Sequence, residues 1–326
     1  MDILNNNFIT YDCIRTSVKI TPEEQVAFAV EKGDMLFQRS SETLEDVGRA
    51  NVYMDENPAV FGGFVIRGKK KTEYNPMFFR YLLASPYARK KIIPMGAGAQ
   101  HFNIGQDGLS KVKLHFPILQ EQQKIAALLR LIDERITTQN KIIEKLETLI
   151  KGIIETVISS QKPNTFIKNC LECDSSTLQE SQVAENGAYP VYGATGINGY
   201  TETADVNGEA ILITKDGSGV GTVKFADGEY SYIGTLNRLI AREGYCLKYL
   251  YFALQGFYFE PYKTGMAIPH IYFKDYGKAK IFCPTIEEQS IIAKSLSVIE
   301  NKISVEKQIL FCNQLQKSYL LSQMLI

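Results

Sequence analysis

The side chains best suited to binding chemistry in this sequence lie in two loops, one in each half of the chain. They are Gln100, His101 and Asn103 in the segment GAGAQHFN, and Lys263, Thr264 and His270 in the segment YKTGMAIPHI. Asn and Gln can pair bidentately with the edge of adenine, and Lys and Thr can bind phosphate. The same groups could instead cap or satisfy buried backbone, and the residue types leave both interpretations open.

Three further stretches carry side chains of the same kind. They are Gln38, Arg39, Ser40 and Arg49 in QRSSETLEDVGR, the run Lys69, Lys70 and Lys71, and Lys215, Ser218 and Lys224 in TKDGSGVGTVK. Arg can pair with guanine edges, and Lys, Ser and backbone amides suit phosphate. The lysine run could equally be a solvated turn, and the glycines of the last stretch could serve a tight hairpin.

No catalytic constellation is visible. The three histidines are isolated, and the close pair Cys170 and Cys173 has no second pair at zinc-ligand spacing. The sequence contains no Walker-type phosphate loop and no Asn-Pro-Pro-Tyr or Asp-Pro-Pro-Tyr motif. We therefore expect no catalytic residue, no metal site, and reduced, partly buried thiols.

A long helix is predicted directly after the loops of the first half of the chain. Between Gln120 and Ile158, apolar residues recur in alternating four- and three-residue steps through to Val157, a pattern typical of a heptad seam. At 1.5 Å per residue the helix would be roughly 58 Å long. Such a helix needs a partner. Its main seam positions are Ile125, Leu129, Ile132, Ile136, Gln139, Ile143 and Leu146.

The partner lies in the second half of the chain, where CPTIEEQSIIAKSLSVIENKI matches FPILQEQQKIAALLRLIDERI. The one polar seam position recurs as Glu306. The chain is therefore a duplication in the order globule, long helix, globule, long helix. The second seam consists of Ile292, Leu296, Ile299, Ile303, Glu306 and Leu310. The predicted boundaries are 1–117 for the first globule, 118–159 for its helix, 160–284 for the second globule and 285–326 for its helix.

Both globules have the pattern of an α+β fold, with short strands around one helical segment. In the first, residues 76–91 predict a helix that Pro86 breaks or kinks. In the second, residues 208–213 and 247–254 repeat the strand and helix of the first. Each globule is expected to end in a strand and a proline. The predicted strands of the first globule are 34–37, 60–66 and 112–116.

Charge balance and hydrophobic content limit the classes of protein to which this chain could belong. The 36 Lys and Arg balance the 36 Asp and Glu, so any nucleic-acid binding must come from local basic patches. The 45% hydrophobic content is ordinary for a globular protein. Because the sequence shows neither a signal peptide nor an apolar run of membrane-spanning length, a cytoplasmic protein without membrane contact is expected.

The duplicated pattern resembles the specificity subunit of type I restriction–modification systems. The family's Pro, Glu-Gln and Ile-Ala stretch occurs twice, and the tail LQKSYLLSQMLI is similar to the usual ending of these chains. The two copies are Pro117, Glu121-Gln122 and Ile125-Ala126, and Pro284, Glu288-Gln289 and Ile292-Ala293.

This resemblance implies a non-catalytic reader of double-stranded DNA with two target-recognition domains and an antiparallel coiled coil of two spacer helices. Each domain would read one half-site, and the helices would set the gap. Two methyltransferase subunits would dock on the helices and methylate adenine, and restriction subunits would complete the nuclease. S-adenosylmethionine, ATP and magnesium would belong to those partners. The polar seam residues Gln139 and Glu306 would set the register or be merely tolerated.

The first domain departs from the usual pattern of this family in one respect. Only positions 1–32 precede its Gly33 strand, whereas the longer segment 160–207 precedes the Gly208 strand of the second domain. The opening strand and loop usual for the family are therefore expected to be missing. Two alternatives stay open: a coiled-coil scaffold that does not bind DNA, and a partial, inactive specificity subunit.

Overall fold

The computed structural model describes residues 2–98 and 100–325. The chain divides into two compact units. Unit 1 comprises Met1–Lys141 and Lys307–Ile326, and unit 2 comprises Ile142–Glu306. Unit 1 is therefore discontinuous in sequence, whereas unit 2 is one continuous segment.

Unit 1 mixes short helices and short strands. Its short helices are α1 (Asp2–Asn5), α2 (Pro22–Ala27), α3 (Pro76–Ala84), α4 (Pro86–Ile92) and α5 (Gln106–Ser110), with 3₁₀ turns at Tyr11–Cys13 and Ile93–Met95. Its strands are β1 (Ala29–Val30), β2 (Met35–Gln38), β3 (Ser40–Ser41), β4 (Ala50–Val52), β5 (Ala59–Val60), β6 (Val65–Gly68) and β7 (Phe102–Asn103).

The centre of unit 1 is an antiparallel sheet with strand order β4-β2-β6. Side chains alternate along a strand. Met35 therefore packs into one apolar cluster, which also contains Ile92, whereas Leu36 packs into another with Ile3. Both faces of β2 are buried.

A proline divides the predicted helix 76–91 in two, because proline lacks the N–H that an interior helical residue donates. Ser85 serves both helix ends: its hydroxyl donates to the Leu82 carbonyl (2.7 Å) and accepts from the Ala88 N–H (3.3 Å). The break predicted at Pro86 is confirmed.

Two predicted strands of unit 1 differ from the structure. The run 60–66 is split into β5 and β6, with Gly62 and Gly63 between them. Residues 112–116 form no strand, so the prediction that each globule ends in a strand is wrong for unit 1. A strand needs a partner for its backbone groups, and no residue within 2–98 or 100–325 pairs with this segment as a strand.

The first long helix, α6, covers Leu119–Ile153 and continues as a π-helix through Ile154–Ser159. The predicted seam positions before Val157 are buried or half-buried. At the end of the helix, the π-turn changes which residue is buried. Ile158 is 2% exposed, whereas Val157 is 39% exposed. The prediction for Val157 is wrong because heptad spacing assumes α-helical turns throughout.

Unit 2 contains more strands than unit 1. Its short helices are α7 (Ile167–Cys170), α8 (Leu247–Gln255) and α9 (Phe273–Tyr276), with 3₁₀ turns at Glu180–Gln182 and Glu260–Tyr262. Its strands are β8 (Thr165–Phe166), β9 (Leu171–Ser175), β10 (Tyr189–Tyr192), β11 (Ile197–Thr201), β12 (Val206–Asn207), β13 (Ala210–Thr214), β14 (Val223–Ala226), β15 (Glu229–Tyr232), β16 (Leu236–Ala241) and β17 (Lys280–Ile281).

Two four-stranded sheets organise unit 2, with orders β14-β13-β16-β9 and β11-β10-β15-β12. Every residue of β13 is buried, as expected of a central strand covered on both faces. A ribbon of β8 and β17 pairs Thr165 with Ile281 and so joins the start of the globule to its end.

The second long helix, α10, covers Ile286–Gln323, and its predicted seam positions are buried or half-buried. Within unit 1 the long helices run antiparallel, because Leu325 packs with Ala126 and Leu129 and Lys317 contacts Asp133. The predicted α+β fold with an antiparallel pair of long helices is confirmed. Across residues 2–98 and 100–325, no helix has the length and apolar character needed to cross a bilayer.

A buried glutamine joins each globule to its long helix. The Gln122 amide donates to the Pro117 carbonyl (2.8 Å) and accepts from the Asn75 N–H (3.0 Å). In unit 2, the Gln289 amide donates to the Pro284 carbonyl (2.9 Å) and accepts from the N–H of Cys246 (3.0 Å), the residue just before α8. The Glu-Gln stretch of the sequence is thus part of a repeated structural joint.

A buried carboxylate provides a second joint. The Tyr81 hydroxyl donates to Asp133 Oδ2 (2.7 Å), and Lys317 Nζ lies 2.5 Å from Asp133 Oδ1. Burial, together with the adjacent carboxylate, raises the pKa of Tyr81. The counterpart in unit 2 consists of Tyr251, Glu300 and Lys248.

Candidate nucleic-acid interface

In unit 1, two short strands bring predicted residues together from distant parts of the sequence. β3 pairs with β7 so that Ser40 lies opposite Asn103, and the Ser40 hydroxyl donates to Asn103 Oδ1. The Ile104 N–H donates to the Arg39 carbonyl at 2.9 Å, which fixes the backbone of this exposed arginine. The Ser40 hydroxyl and the Asn103 amide are therefore in contact, next to Arg39 in the sequence.

The loop before β7 presents two further predicted side chains, because Gln100 and His101 are both exposed. Ala97 and Asn103 close this loop through two backbone hydrogen bonds of 2.9 and 2.8 Å. Gly98 has a φ of 143°, and a Cβ at this position would lie 2.0 Å from the His101 carbonyl oxygen. The loop therefore requires glycine here.

Unit 2 builds the same arrangement with different side chains. Asp216 forms a backbone bridge with His270, and Asp216 Oδ1 lies 3.3 Å from His270 Nδ1. The Ile271 N–H donates to the Lys215 carbonyl at 2.9 Å, the same bond that fixes the arginine of unit 1. The corresponding pairs are Arg39 and Lys215, Ser40 and Asp216, and Asn103 and His270.

The second loop also repeats the glycine. Thr264 and His270 close it through backbone hydrogen bonds of 2.9 and 2.8 Å. Gly265 has a φ of 89°, and a Cβ there would lie 2.4 Å from the Ile268 carbonyl oxygen. On its flanks, Ser218 is exposed and Lys263 forms an ion pair with an acidic neighbour.

Two side chains of this site lie outside the predicted set, Asp216 and Met266. The sequence match aligns the two halves of the chain by one constant offset in residue number. The offset from Arg39 to Lys215 is larger than the offset from Asn103 to His270. A constant offset therefore does not align Asp216 with Ser40, and sequence comparison misses it. Met266 is fully exposed at the loop tip. An apolar residue beside Gly265 was the available signal.

The other predicted residues take different positions. Gln38 is buried, and its amide donates to the Ser40 carbonyl (2.8 Å). Arg49 pairs with Asp46 at 2.6 Å. Lys224 donates to two backbone carbonyls at 2.8 and 3.4 Å, and burial lowers its pKa.

The lysine run lies apart from the loop pair of unit 1. Because β6 pairs with β2 so that Gly68 lies opposite Met35, the chain after β6 leaves from the end of β2 that is distant from Gln38. Two of the three lysines form ion pairs, with Glu31 at 3.0 Å and Glu73 at 3.4 Å. Lys69, Lys70 and Lys71 are therefore not adjacent to β3 and β7.

Each loop pair thus places a basic residue beside a short polar pair, with Arg39 exposed in unit 1 and Lys215 half-buried in unit 2. This combination suits contacts to phosphates and to base edges in a groove of DNA. In the part of the chain that the structure describes, no group of three or more His, Cys, Asp or Glu side chains could hold a metal ion.

Known proteins resemble this chain in sequence and in fold. The sequence model of the type I restriction modification DNA specificity domain matches residues 1–148 and 171–311. A putative type I restriction enzyme MjaX specificity subunit from Methanocaldococcus jannaschii is 27% identical over 144 residues, which is 43% of this chain and only 33% of that relative. The match thus spans about a third of the relative's length.

Two solved structures share the fold. The S subunit of a type I restriction–modification system from M. genitalium has a TM-score of 0.62 at 17% identity, covering 90% of this chain and 83% of that one. A chain from a structure of complex assembly and conformational transition in the type I R-M system has a TM-score of 0.55 at 15% identity, covering 90% and 81%. With the sequence match over both halves, these findings show that the chain belongs to the family of type I restriction–modification DNA specificity domains.

Proposed function

We propose that this chain reads a DNA site in two parts, with unit 1 reading one half and unit 2 the other. The observation that carries the proposal is the loop pair built twice on the same backbone with different side chains. A shared geometry with exchanged side chains is what two readers of different half-sites require. The side chains that differ are Arg39, Ser40 and Asn103 in unit 1, and Lys215, Asp216 and His270 in unit 2.

The chemistry of these groups suggests separate tasks. Arg39 suits a guanine edge, Asn103 suits adenine, and Lys215 suits a phosphate. Asp216 can accept from the amino group of cytosine. Met266 could contact a thymine methyl group or wedge at a base step. The remaining predicted contacts stay proposals: Gln38, Ser40, Arg49, Lys69, Lys70, Lys71, Gln100, His101, Ser218, Lys224, Lys263, Thr264 and His270.

The long helices would act as spacers between recognition domains at 1–117 and 160–284. A roughly 58 Å helix equals the axial length of about 17 base pairs at 3.4 Å each, which bounds the separation of two half-sites on one face of straight DNA. The gap in the recognition site should therefore be fixed and shorter than this limit.

The helices also carry an apolar face suited to partner subunits. In unit 2, α10 exposes Ile291, Val298 and Val305 at seven-residue spacing, with 65, 63 and 47% exposure. Exposed apolar stripes of this kind mark interaction surfaces. We place two methyltransferase subunits there, with restriction subunits joining them in the cytoplasm. S-adenosylmethionine, ATP and magnesium, and with them adenine methylation and cleavage, belong to these partners, while this chain remains non-catalytic.

Co-expression with the methyltransferase encoded beside it, in a host without DNA methylation, tests the proposal. Modified adenines are mapped by long-read sequencing, and a two-part motif with a fixed gap is expected. Asn103→Ala should relax one half of the motif and His270→Ala only the other. Lys278→Ala, which changes an exposed lysine outside the loops, is the matched control.

The outcomes separate the competing functions. A motif specified only by the half that responds to His270→Ala would mean that unit 1 does not read DNA. Absence of methylation despite a stable complex with the methyltransferase would refute DNA reading and leave the scaffold function. A single motif altered by both variants would contradict the division between the two units.

A further inference from the structure

Unit 1 has an open apolar groove of about 360 Å³ that the proposed function does not use. Its apolar walls continue to a basic rim at residues 69–71. Within the described residues, the backbone groups of Leu114 and Phe116 have no hydrogen-bond partner. We call this site the acceptor groove; it is lined by Phe37, Phe79, Leu109, Val112, Leu114 and Phe116.

Unit 2 contains the same site with an occupant. Residues 279–283 correspond to 112–116, and a segment that begins at Asn164 covers them. The Asn164 amide makes two hydrogen bonds of 2.8 Å with the backbone of Cys283, and the Ile167 N–H donates to a carbonyl of the same run at 3.0 Å. Cys283 is therefore 7% exposed, whereas its counterpart in unit 1 is 55% exposed.

The occupant of unit 2 continues as a strand. After α7, β9 adds to the edge of β16, and Ile167, Cys170 and Leu171 are completely buried. In unit 1 the counterpart of β16 is β6, which ends its sheet without a further neighbour among the described residues. The acceptor groove thus lies beside an unpaired sheet edge, the usual setting for strand addition.

The charges at the edges of the two sheets also correspond. Val65 of β6 lies opposite the last residue of β2, and Leu236 of β16 lies opposite the last residue of β13. This register makes Lys71 the counterpart of Arg242. Arg242 pairs with Glu172 of β9 at 2.9 Å. The acceptor groove therefore presents a cation where the strand of unit 2 carries an acid.

The first described residues of the chain do not fill this site. The Ile3 carbonyl in α1 accepts from Asn51 Nδ2 at 3.0 Å, so α1 packs beside β4. Ile3 also packs with Leu36, whose side chain lies on the face of β2 opposite to Phe37, and Phe37 lines the acceptor groove. α1 therefore covers the other face of the sheet.

We infer that the acceptor groove binds a segment of a different polypeptide, not a second copy of this chain, and that this segment adds as a strand to β6. The segment carries an extended Asn-containing start, three buried apolar residues spaced as in α7 and β9, and an acid that pairs with Lys71. It completes unit 1 as residues 164–175 complete unit 2.

A synthetic, fluorescently labelled peptide with the sequence of residues 162–175 serves as the probe, and its binding to the full chain is followed by anisotropy under reducing conditions. We expect saturable binding and exchange protection at 65–71 and 112–116. Lys71→Glu should weaken binding about five- to tenfold, as expected for turning one attractive pair into a repulsive one. A peptide with E172K should recover binding to this variant. Lys19→Glu, which changes an exposed lysine that does not line the groove, should stay within about twofold of the unchanged protein.

Three outcomes would overturn the inference. One is no binding at about 1 mM peptide, the weakest affinity that a specific strand addition should show. Another is equal binding to the Lys71→Glu protein and no recovery by the charge-exchanged peptide. The third is sedimentation of the chain alone as a dimer that Lys71→Glu dissociates, which would make a second copy the occupant.

Discussion

Replacing Asp133 should destabilise unit 1 far more than its position on an exposed helix suggests. The residue is 6% exposed, accepts from Tyr81 at 2.7 Å and lies 2.5 Å from Lys317. A hydrogen bond to a charged group contributes about 1.5–3 kcal/mol. Removing one partner of a buried ion pair costs about 3–5 kcal/mol. Because the Lys317 side chain is 21% exposed and can regain some water, we expect Asp133→Ala to cost about 3 kcal/mol, the lower end of that range.

A double-mutant cycle isolates the pair. Lys317→Met removes the cation but retains the apolar stem, and it should cost less than Asp133→Ala because Tyr81 still donates to the carboxylate. The coupling energy between the two changes should be at least about 1 kcal/mol, as is usual for contacting residues. Asp133→Asn keeps an acceptor for Tyr81 and loses the charge, so its cost should be intermediate.

Unfolding must be followed within unit 1, because a chain with two units need not unfold in one step. The chain has no tryptophan, so hydrogen exchange of peptides from α3 and the first half of α6 in increasing urea is the suitable assay. Glu134→Ala is the matched control, since its pair with Arg130 is 3.6 Å long and about 60% exposed on both sides, and it should change stability by less than about 0.5 kcal/mol. A coupling energy near zero, or equal effects of Asp133→Ala and Glu134→Ala, would refute the reasoning.

Three further changes test other parts of the structure. Gly265→Ala places a Cβ 2.4 Å from the Ile268 carbonyl oxygen, so it should abolish specificity for one half-site in the methylation assay with little effect on circular dichroism; an unchanged motif would contradict the role of this loop. Gln289→Ala leaves the Cys246 N–H without its acceptor and should destabilise unit 2 by about 1–3 kcal/mol, measured by urea unfolding, whereas a neutral effect would mean that the joint is not energetically important. Burial raises the pKa of Tyr74 to about 12, so the folded state favours the neutral phenol, and stability is retained below pH 10 and lost as the pH rises towards 12. Tyr74→Phe should remove that part of the alkaline loss, and identical alkaline curves for both proteins would refute the shift.

The sequence predicted best what depends on local periodicity. Heptad spacing located the first long helix, and the repeat of its sequence located the second. Pro86 marked the break between α3 and α4, because a proline lacks the N–H that a helix interior needs. Residues 112–116 have the composition of a strand, but a strand also needs a partner, and composition does not show whether one exists. The correspondence of Arg39 with Lys215 depends on loops of unequal length, so it became visible only from the backbone hydrogen bonds.

The discontinuity of unit 1 has a consequence for biosynthesis. The carboxylate of Asp133 emerges from the ribosome long before Lys317, since the whole of unit 2 is translated between them. Unit 2 is continuous and can fold while synthesis proceeds, whereas unit 1 must wait for the final helix to close its last contacts. A premature stop codon near the end of the gene would therefore destabilise unit 1, whose globule lies at the opposite terminus, and leave unit 2 intact.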